Sequence, residues 1–256
     1  MSVLLQISDT HFGTERPQVV EALVALAADV RADLVVLSGD ITQRAKRAEF
    51  DAARRLVERL PPAPLIAIPG NHDVPLFNLV ARVLRPYGAY ARVFGAELEP
   101  SYESHDLVVL GVNTTRAYRH KHGEVSAGQI ERVAQRLRAC PRGKLRIVVT
   151  HHPIHVPSGA EEANLLRGHA RAARAWGEAG ADLVMGGHIH LPFARPMSEQ
   201  PFWVVQAGTA VSHRVRPSGE ANSVNLVRYA AGVATVERWD YNGSRFALVQ
   251  RLDIRK

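Results

Sequence analysis

Two closely spaced histidines near residue 190 are the first side chains that suggest a chemistry. In the stretch LVMGGHIHLP, residues 183–192, His188 and His190 follow a short apolar run and a pair of glycines. Imidazole nitrogens are common ligands of first-row metals, and carboxylate oxygens often complete such sites. A His-x-His pair alone is a weak signal, because histidines also occur in polar loops that end buried strands. A metal site therefore requires further ligands from elsewhere in the chain.

Four other parts of the sequence have the same arrangement, an apolar run followed directly by polar side chains. Together with 183–185, the apolar runs are 3–8, 33–38, 65–69 and 146–150. Their length and composition predict buried β-strands. The following side chains that can bind a metal are Asp9, His11, Asp40, Asn71, His151, His188 and His190. Because ligands bind at the carboxyl ends of parallel strands in α/β sheets, we expect these side chains to meet at one edge.

Segments with helical periodicity alternate with the strand-like runs. Helices are predicted at 17–30, 45–60, 126–139 and 161–179, with a helical region within 75–94 and another strand at 107–112. This alternation requires crossover connections and predicts an α/β fold with largely parallel sheets covered by helices. After residue 200, consecutive strand-like runs joined by short turns predict an antiparallel region over 200–256. No linker-like composition divides the chain, so we predict a single domain over residues 1–256.

The composition is that of an ordinary globular protein. Of 256 residues, 46% are hydrophobic and 22% are charged, and no apolar run is long enough to cross a bilayer. The N-terminus lacks the pattern of a signal peptide. Cys140 is the single cysteine, which excludes an internal disulfide and zinc sites built from several thiolates. We therefore predict a cytoplasmic protein without membrane insertion, and the sequence leaves a monomer or an oligomer open.

The chain is basic, with 32 Lys and Arg against 25 Asp and Glu and a net charge of +7. Positive charge favours anionic partners through long-range attraction. The excess is spread along predicted helices, such as RAEFDAARRLVERL, and is not concentrated in one run. This distribution is typical of solvated helix surfaces, so nucleic acid is a less favoured partner than a small anionic substrate.

The number and type of candidate ligands suggest two metal ions. Seven ligands are more than one tetrahedral ion binds, but they suit two adjacent ions that share a bridging carboxylate. Oxygen and nitrogen donors without thiolate favour manganese, iron or zinc. Only Asp9 and Asp40 carry a formal negative charge, so two divalent or trivalent ions would keep the centre positive, as an anionic substrate requires.

These stretches resemble, in order, the five motif blocks of the calcineurin-like metallophosphoesterase superfamily. The matching residues are DTH at 9–11, GD at 39–40, GNHD at 70–73, HHP at 151–153 and GHIH at 187–190. The resemblance implies a four-layer αββα sandwich with two mixed sheets flanked by helices. The chain differs from many relatives at one position, where it has Gln43 and they carry Asp or Arg.

The resemblance also implies a role for each matched residue. One metal would be bound by Asp9, His11 and His190, the other by Asn71, His151 and His188, with Asp40 as the bridge. Hydrolysis would proceed by in-line attack of a hydroxide that bridges the metals. His72 is the non-ligand histidine, expected to stabilise the developing charge or to protonate the leaving oxygen. Asp73 is expected to orient this imidazole or a neighbouring metal ligand.

The substrate class follows from a less specific part of the resemblance. The chain length, the GDIT and GNHDVP forms and the stretch 122–137 resemble bacterial class III cyclic nucleotide phosphodiesterases and their glycerophosphodiester-cleaving relatives. We therefore predict hydrolysis of a small phosphodiester, with cyclic nucleotides as one candidate. The alternatives are a phosphomonoesterase, a metal-dependent nuclease and a non-catalytic ligand-binding protein on the same scaffold.

Candidate substrate contacts come from loops expected at the same edge. They are Arg119, His120 and His122 in the basic stretch 116–124, His152 beside a predicted ligand, and His213. The alternative for 116–124 is a solvated basic loop. For His152 the alternative is a loop histidine that is hydrogen-bonded to the backbone.

Overall fold

Two six-stranded sheets form the centre of the molecule within residues 1–255, which the computed structural model describes. The strands are β1 (Ser2–Ile7), β2 (Leu34–Ser38), β3 (Leu65–Ile68), β4 (Ser101–Glu103), β5 (Leu107–Val112), β6 (Leu145–Thr150), β7 (Leu183–Gly186), β8 (Phe193–Pro196), β9 (Trp203–Gln206), β10 (Ser223–Ala230), β11 (Val233–Tyr241) and β12 (Phe246–Arg255). The helices are α1 (Pro17–Val30), α2 (Arg47–Arg59), α3 (Leu79–Leu84), α4 (Gly88–Phe94), α5 (Ala127–Arg138) and α6 (His169–Glu178). Short 3₁₀ turns cover Asn71–Asp73 and Gly159–Asn164.

Each sheet combines parallel with antiparallel strands, and the parallel strands form one half of the first sheet and the centre of the second. The first has the order β12-β11-β10-β1-β2-β3, in which β1, β2 and β3 are parallel and β10 to β12 are antiparallel. The second has the order β4-β5-β6-β7-β9-β8, in which β4 and β8 are antiparallel edge strands. The parallel strands of both sheets end near one another, so the loops with the predicted metal ligands lie side by side.

Three apolar clusters explain the layering. One joins α1 and α2 to the first sheet, with Leu23 and Phe50 fully buried. A second joins α5 and α6 to the other sheet around Trp176. The third consists of strand residues of both sheets, among them Leu4 and Ile147, and lies between them. Strands buried on both faces read as continuous Val, Ile and Leu runs, as these do. The predicted four-layer α/β architecture is therefore confirmed.

The structure differs from the sequence prediction at the predicted helix 161–179. That segment is divided into the 3₁₀ turn Gly159–Asn164 and α6, which begins at His169. Gly168, just before α6, has a left-handed φ of 88°, which no continuous α-helix permits. A Cβ there would also press against the carbonyl oxygen of Val125. Helical periodicity in the sequence continues across this break, which is why the prediction was too long.

The strands after residue 200 also differ from the prediction of one antiparallel region. β9 pairs parallel with β7 in the second sheet, whereas β10 to β12 form the antiparallel part of the first sheet. The edge strands β4 and β8 were not predicted, because three or four residues are too few to give a periodic pattern. None of the helices in the described part of the chain is both long and apolar enough to cross a bilayer.

Candidate metal centre

The loops after the parallel strands bring the predicted ligands together. β1 is followed by Asp9 and His11, β2 by Asp40, β3 by Asn71, β6 by His151, and β7 by His188 and His190. The ligand atoms of Asp9, His11 and His190 all lie within 4.8 Å of one another, and so do those of Asp9, Asp40 and His151. Both sheets therefore contribute to one cluster at their carboxyl ends.

The backbone at this edge is strained. Five of the candidate ligands have left-handed φ angles: Asp9 (52°), His11 (42°), Asp40 (47°), His188 (74°) and His190 (54°). Such angles are uncommon for residues other than glycine, although Asp and His tolerate them better than most. Each costs about 1–3 kcal/mol and persists only where the surrounding structure enforces it, typically at functional sites. All five lie in the loops after the parallel strands, where the ligand atoms meet.

Two glycines allow the loops to approach this closely. A Cβ at Gly70 would overlap the backbone nitrogen of Asp40, and one at Gly187 would overlap side-chain atoms of Ser8 and Asp9. The glycine of the GNHD stretch is thus required by contact with the backbone of Asp40, and that of the GHIH stretch by contact with the side chains of Ser8 and Asp9. Close approach to a backbone is a position that only glycine fits.

The first group of donor atoms consists of Asp9, His11 and His190. His190 Nε2 lies 3.2 Å from Asp9 Oδ1 and 3.0 Å from His11 Nε2. His190 Nδ1 donates to the carbonyl oxygen of Arg214 at 2.6 Å. Because a carbonyl only accepts, the proton of the neutral ring is on Nδ1 and the lone pair of Nε2 faces the cluster. A hydrogen bond of this kind from the second ring nitrogen is the usual support of a metal-binding histidine.

Asp40 lies between two histidines that come from different sheets. Its Oδ2 is 3.7 Å from His11 Nε2, and its Oδ1 is 3.3 Å from His151 Nε2. His151 Nδ1 donates to the carbonyl oxygen of Ser38 at 2.9 Å, which leaves Nε2 as the nitrogen that faces the cluster. The position between the two groups is the one that a bridging carboxylate needs.

Several buried nitrogen and oxygen atoms here that could bind a metal have no hydrogen-bond partner in the described structure. They are His11 Nδ1, Asn71 Oδ1, His151 Nε2, and both ring nitrogens of His188. A buried polar atom without a partner costs about 1–3 kcal/mol, so native proteins rarely leave several together. Metal coordination would satisfy Asn71 Oδ1, His151 Nε2 and one nitrogen of His188, whereas His11 faces the cluster with Nε2 and not with its unpartnered Nδ1. The residues present therefore fit two adjacent ions, as expected from the sequence.

Protonation states agree with this interpretation. Burial lowers the pKa of His11 to about 3 and that of His188 well below its usual value, so both rings are neutral, as metal ligands must be. Burial disfavours the charged forms of Asp9 and Asp40, but the histidines around them outweigh it and keep their pKa values low. His151 is the exception: burial disfavours its charge, yet Asp40 raises its pKa to about 9, so this ring must lose a proton when a metal binds. The two carboxylates are therefore ionised at neutral pH.

His72 lies beside the cluster with one ring nitrogen held by the backbone. Its backbone nitrogen donates to Asp40 Oδ1 at 2.8 Å, and its Nδ1 donates to the carbonyl oxygen of Gln43 at 2.9 Å. The ring contacts that of His11 edge to face, with 4.8 Å between the centroids. His72 Nε2 is therefore the nitrogen left to act toward a substrate.

Asp73 joins two loops of the cluster and does not contact the His72 imidazole. Its buried carboxylate accepts hydrogen bonds from the backbone nitrogens of Ile41 (3.0 Å), Thr42 (2.8 Å) and Gly70 (2.8 Å), and from the Thr42 hydroxyl (2.8 Å). Burial and the nearby charge of Asp40 raise the pKa of Asp73 to about 6. Of the two roles expected from the sequence, these contacts match the support of neighbouring ligands.

His152 is not placed as a substrate contact. Its side chain is fully buried, with Nε2 donating to the carbonyl oxygen of Lys121 at 3.0 Å and Nδ1 bonded to the hydroxyl of Thr114 at 2.8 Å. Both ring nitrogens are thus used within the protein. A Cβ at Gly123 would overlap the His152 ring, so the basic stretch packs directly on it. His152 supports this loop, which corrects the expectation of a substrate contact.

The other predicted substrate contacts lie on the surface around the cluster. Arg119 is paired with Glu124, at 2.7 Å between Nη2 and Oε2, so its charge is already partnered. His120, His122 and His213 are exposed. Burial and the charges of Arg82 and His72 lower the pKa of His120, which places it on the His72 side of the site.

A cleft of about 400 Å³ opens beside His188 and His190. Its other lining residues include Lys121, Asn164, Arg214 and Arg216. Sequence reasoning missed Asn164, because the predicted helix 161–179 hid the turn that carries it. It also treated Gln43 only as a departure from the family pattern. Gln43 Oε1 in fact accepts a hydrogen bond from Arg214 at 3.1 Å, while its carbonyl holds His72.

Comparison with known proteins identifies the family. Residues 2–192 match the family described as calcineurin-like phosphoesterase. A cAMP/cGMP dual specificity phosphodiesterase of Mycobacterium tuberculosis is 30% identical over 210 residues, which cover 73% of this chain and 61% of that protein. A probable cyclic nucleotide phosphodiesterase of Psychrobacter arcticus is 27% identical over 179 residues, which cover 60% of this chain and 61% of that protein. The aligned part is thus less than two thirds of the length of either relative.

Solved structures share the fold at low sequence identity. A dimetal phosphatase from Danio rerio superposes with a TM-score of 0.72 at 12% identity, covering 99% of this chain and 98% of that one. A purple acid phosphatase from yellow lupin superposes with a TM-score of 0.73 at 13% identity, covering 99% of this chain and 53% of that one. Together with the sequence match, this shows that the chain belongs to the calcineurin-like phosphoesterase family.

Proposed function

From its membership of this family, we propose that the protein hydrolyses phosphoesters with two metal ions, and that its substrates are small phosphodiesters. The observation that carries the proposal is the set of buried, unpartnered donor atoms around Asp40. Such a set costs stability unless ligands occupy it. The two curated relatives are named as cyclic nucleotide phosphodiesterases, which supports a small diester as the substrate.

The arrangement supports one assignment of the ligands. We assign Asp9, His11 and His190 to one ion, Asn71, His151 and His188 to the other, and Asp40 to both. When bound, a pair of ions activates water and neutralises charge on phosphoryl oxygens. Asp73 would keep the loops of Asp40 and Asn71 in register through its four accepted hydrogen bonds.

His72 is proposed to act on the leaving group. Its Nδ1–H is fixed on the Gln43 carbonyl, so the neutral ring offers only a lone pair at Nε2. The imidazolium form would have a proton at Nε2 that can pass to the departing oxygen. General acid catalysis of this kind typically contributes 10²–10⁴-fold. The backbone bond from His72 to Asp40 holds the ring beside the ligands, with its ligand atom within 4.8 Å of those of His11 and Asp40. We assign it to the leaving group and not to an ion, as the resemblance to the family implies.

The cleft beside His188 and His190 is proposed to receive the organic part of the substrate. At about 400 Å³ it is of the size that small-molecule sites have. Arg216 in its wall is paired with Glu161, at 2.5 Å between Nη2 and Oε1, and contributes little net charge. Lys121 and Arg214 are the other cations of the lining. Because two cations could also accept the second charge of a monoester, phosphomonoesters are the second candidate.

An activity screen of the manganese-loaded chain tests the proposal. The substrates would be bis(p-nitrophenyl) phosphate, p-nitrophenyl phosphate, cyclic AMP and single-stranded DNA, with Asp40→Asn as the inactive control. We expect turnover of the aryl diester and of at least one natural small diester to exceed that of the monoester. Faster hydrolysis of the monoester would support the second candidate. Two bound metals without turnover of any substrate would support a binding protein instead.

A further inference from the structure

An unusual apolar surface lies close to the candidate centre. Five side chains project into solvent there, with exposed fractions of 77% for Phe77, 68% for Leu79, 70% for Val80, 76% for Val83 and 74% for Leu84. No residue of α3, which carries four of them, is buried. Single exposed hydrophobics are normal on proteins, but a contiguous group marks an interaction site. We call these five residues the apolar ridge.

The surroundings of the apolar ridge are positively charged. The three segments 43–48, 74–96 and 116–123 contain nine Lys and Arg and no Asp or Glu. Three of these cations, Arg92, Arg116 and Arg119, are paired with Asp51 or Glu124 outside the segments, so six carry the local positive charge. A groove of about 590 Å³ runs between α3 and the start of α2, and its lining includes Arg44, Lys46, Arg47, Phe77 and Arg85. The guanidinium of Arg44 lies 5.4 Å from the centroid of the Phe77 ring. Exposed apolar groups and cations therefore belong to one surface.

We propose that the apolar ridge and these cations dock the protein on the anionic surface of a lipid bilayer. Apolar side chains that project from a basic surface enter the boundary between headgroups and acyl chains. Each Lys or Arg near an anionic leaflet adds electrostatic attraction to it. The proposal concerns peripheral contact, and it does not depend on the catalytic proposal.

Other occupants fit the surface less well. A symmetric contact with a second copy would place the same patch against itself, so its cations would face like charges. Single-stranded nucleic acid binds through bases that stack on aromatic side chains, whereas four of the five ridge residues are aliphatic. An anionic lipid surface matches both features, because its headgroups attract the cations and its acyl chains accept the aliphatic side chains of the apolar ridge.

Docking would bring the candidate centre near the bilayer. The segment that carries α3 follows the turn of Asn71 and His72 directly. Arg82 of α3 donates to the carbonyl oxygens of Pro75 (2.8 Å) and Arg119 (2.5 Å), so α3 is tied to the basic loop at the edge of the site. Tyr118 of that loop is 72% exposed and would lie on the same side.

Vesicle co-sedimentation of the full chain tests the docking. The probes are vesicles of phosphatidylcholine alone and vesicles with about one third phosphatidylserine, at low and at high salt. We expect at least roughly tenfold tighter binding to the anionic vesicles, weakened by salt, from the attraction of several cations. The triple variant Phe77→Ser/Leu79→Ser/Val83→Ser and, separately, Arg47→Glu/Arg85→Glu should each lose most of this binding.

A matched control distinguishes the surface from general stickiness. Leu248 and Val249 of β12 are also exposed, at 45% and 54%, so Leu248→Ser/Val249→Ser should bind vesicles like the unsubstituted chain. Equal binding of the unsubstituted chain to neutral and anionic vesicles, or no binding to either, would overturn the proposal. So would a dimer in sedimentation equilibrium that the triple variant converts to a monomer. None of these readouts requires hydrolytic activity.

Discussion

Aspartates lie at both edges of the two sheets, in different surroundings. At the amino edge the sequence Asp-Leu-Val occurs three times, and Asp33, Asp106 and Asp182 directly precede β2, β5 and β7. Asp33 accepts a hydrogen bond from the backbone nitrogen of Val3 at 2.8 Å, and Asp182 from that of Arg146 at 2.7 Å. These carboxylates connect neighbouring strands, so their negative charges serve the fold.

At the carboxyl edge the aspartates face histidine nitrogens instead. Asp9 and Asp40 lie 3.2–3.9 Å from rings whose free nitrogens point at one another. The backbone of both residues is in the left-handed region, which costs about 1–3 kcal/mol for each. Aspartate thus stabilises the fold at the amino edge. At the carboxyl edge it reduces stability, and its oxygens remain able to bind metal ions.

Substituting one aspartate at each edge should separate metal binding from support of the fold, and we expect it to have the largest effect. Asp40→Asn removes the charge between His11 and His151, so we expect lower metal content. We also expect diester hydrolysis to fall on the order of 10⁴-fold, because metals contribute several kcal/mol to such reactions. Asp182→Asn should keep kcat/KM within about threefold but lower the free energy of unfolding by about 1–3 kcal/mol. Metal analysis, kinetics and urea titration measure these effects. Similar activity losses in both variants would contradict the division between the edges.

His72→Ala tests whether every histidine at the carboxyl edge is a ligand. We expect turnover to fall by about 10²–10³-fold while both metals remain bound, because the role proposed for this ring is to act on the leaving group and not on the ions. Metal content measured together with kcat is the decisive pair of readouts. If His72→Ala and Asp40→Asn lose metal equally, His72 is a ligand and its assigned role is wrong.

Asp73→Asn tests a third kind of aspartate. Asp73 lies at the carboxyl edge, but like Asp33 and Asp182 it accepts hydrogen bonds from backbone nitrogens, and its proposed role is to support the ligands. An amide cannot accept from four donors at the two positions that the carboxylate uses. We expect metal affinity to fall about 10–100-fold, as for other residues that orient ligands. Competition with a metal-binding dye measures it, and near-native kcat at saturating metal is the expected companion result. A loss of kcat that excess metal does not restore would place Asp73 in the chemistry.

Metal removal should lower the thermal stability, and only where the site is intact. Ions present at about 100 times their dissociation constant stabilise the folded state by about 2.7 kcal/mol. For a chain of this size that corresponds to a rise in Tm of about 5–11 °C. Thermal scans with and without chelator should show this shift in the unsubstituted chain and in Asp182→Asn, but not in Asp40→Asn. A shift of the same size in all three would mean that the ions bind elsewhere.

Much of the site could be predicted from the sequence because its signals are local. An apolar run followed by Asp, His or Asn places a ligand at a strand end whatever the rest of the chain does. The order of strands and helices then determines that the strands are parallel and that their carboxyl ends meet. This is why residues as distant as Asp9 and His190 could be predicted to share a centre, and they lie 3.2 Å apart.

The tertiary structure decided what adjacent residues of the same type do. His151 and His152 are neighbours in the sequence, but one faces Asp40, while the other is held by Thr114 and the carbonyl of Lys121. In the sequence only the HHP motif distinguishes them, whereas the physical difference comes from partners more than 30 residues away. The sequence alone determined which residue types reach the edge. Which nitrogen faces the ions, which acid supports the loops and which apolar residues remain exposed depend on long-range packing.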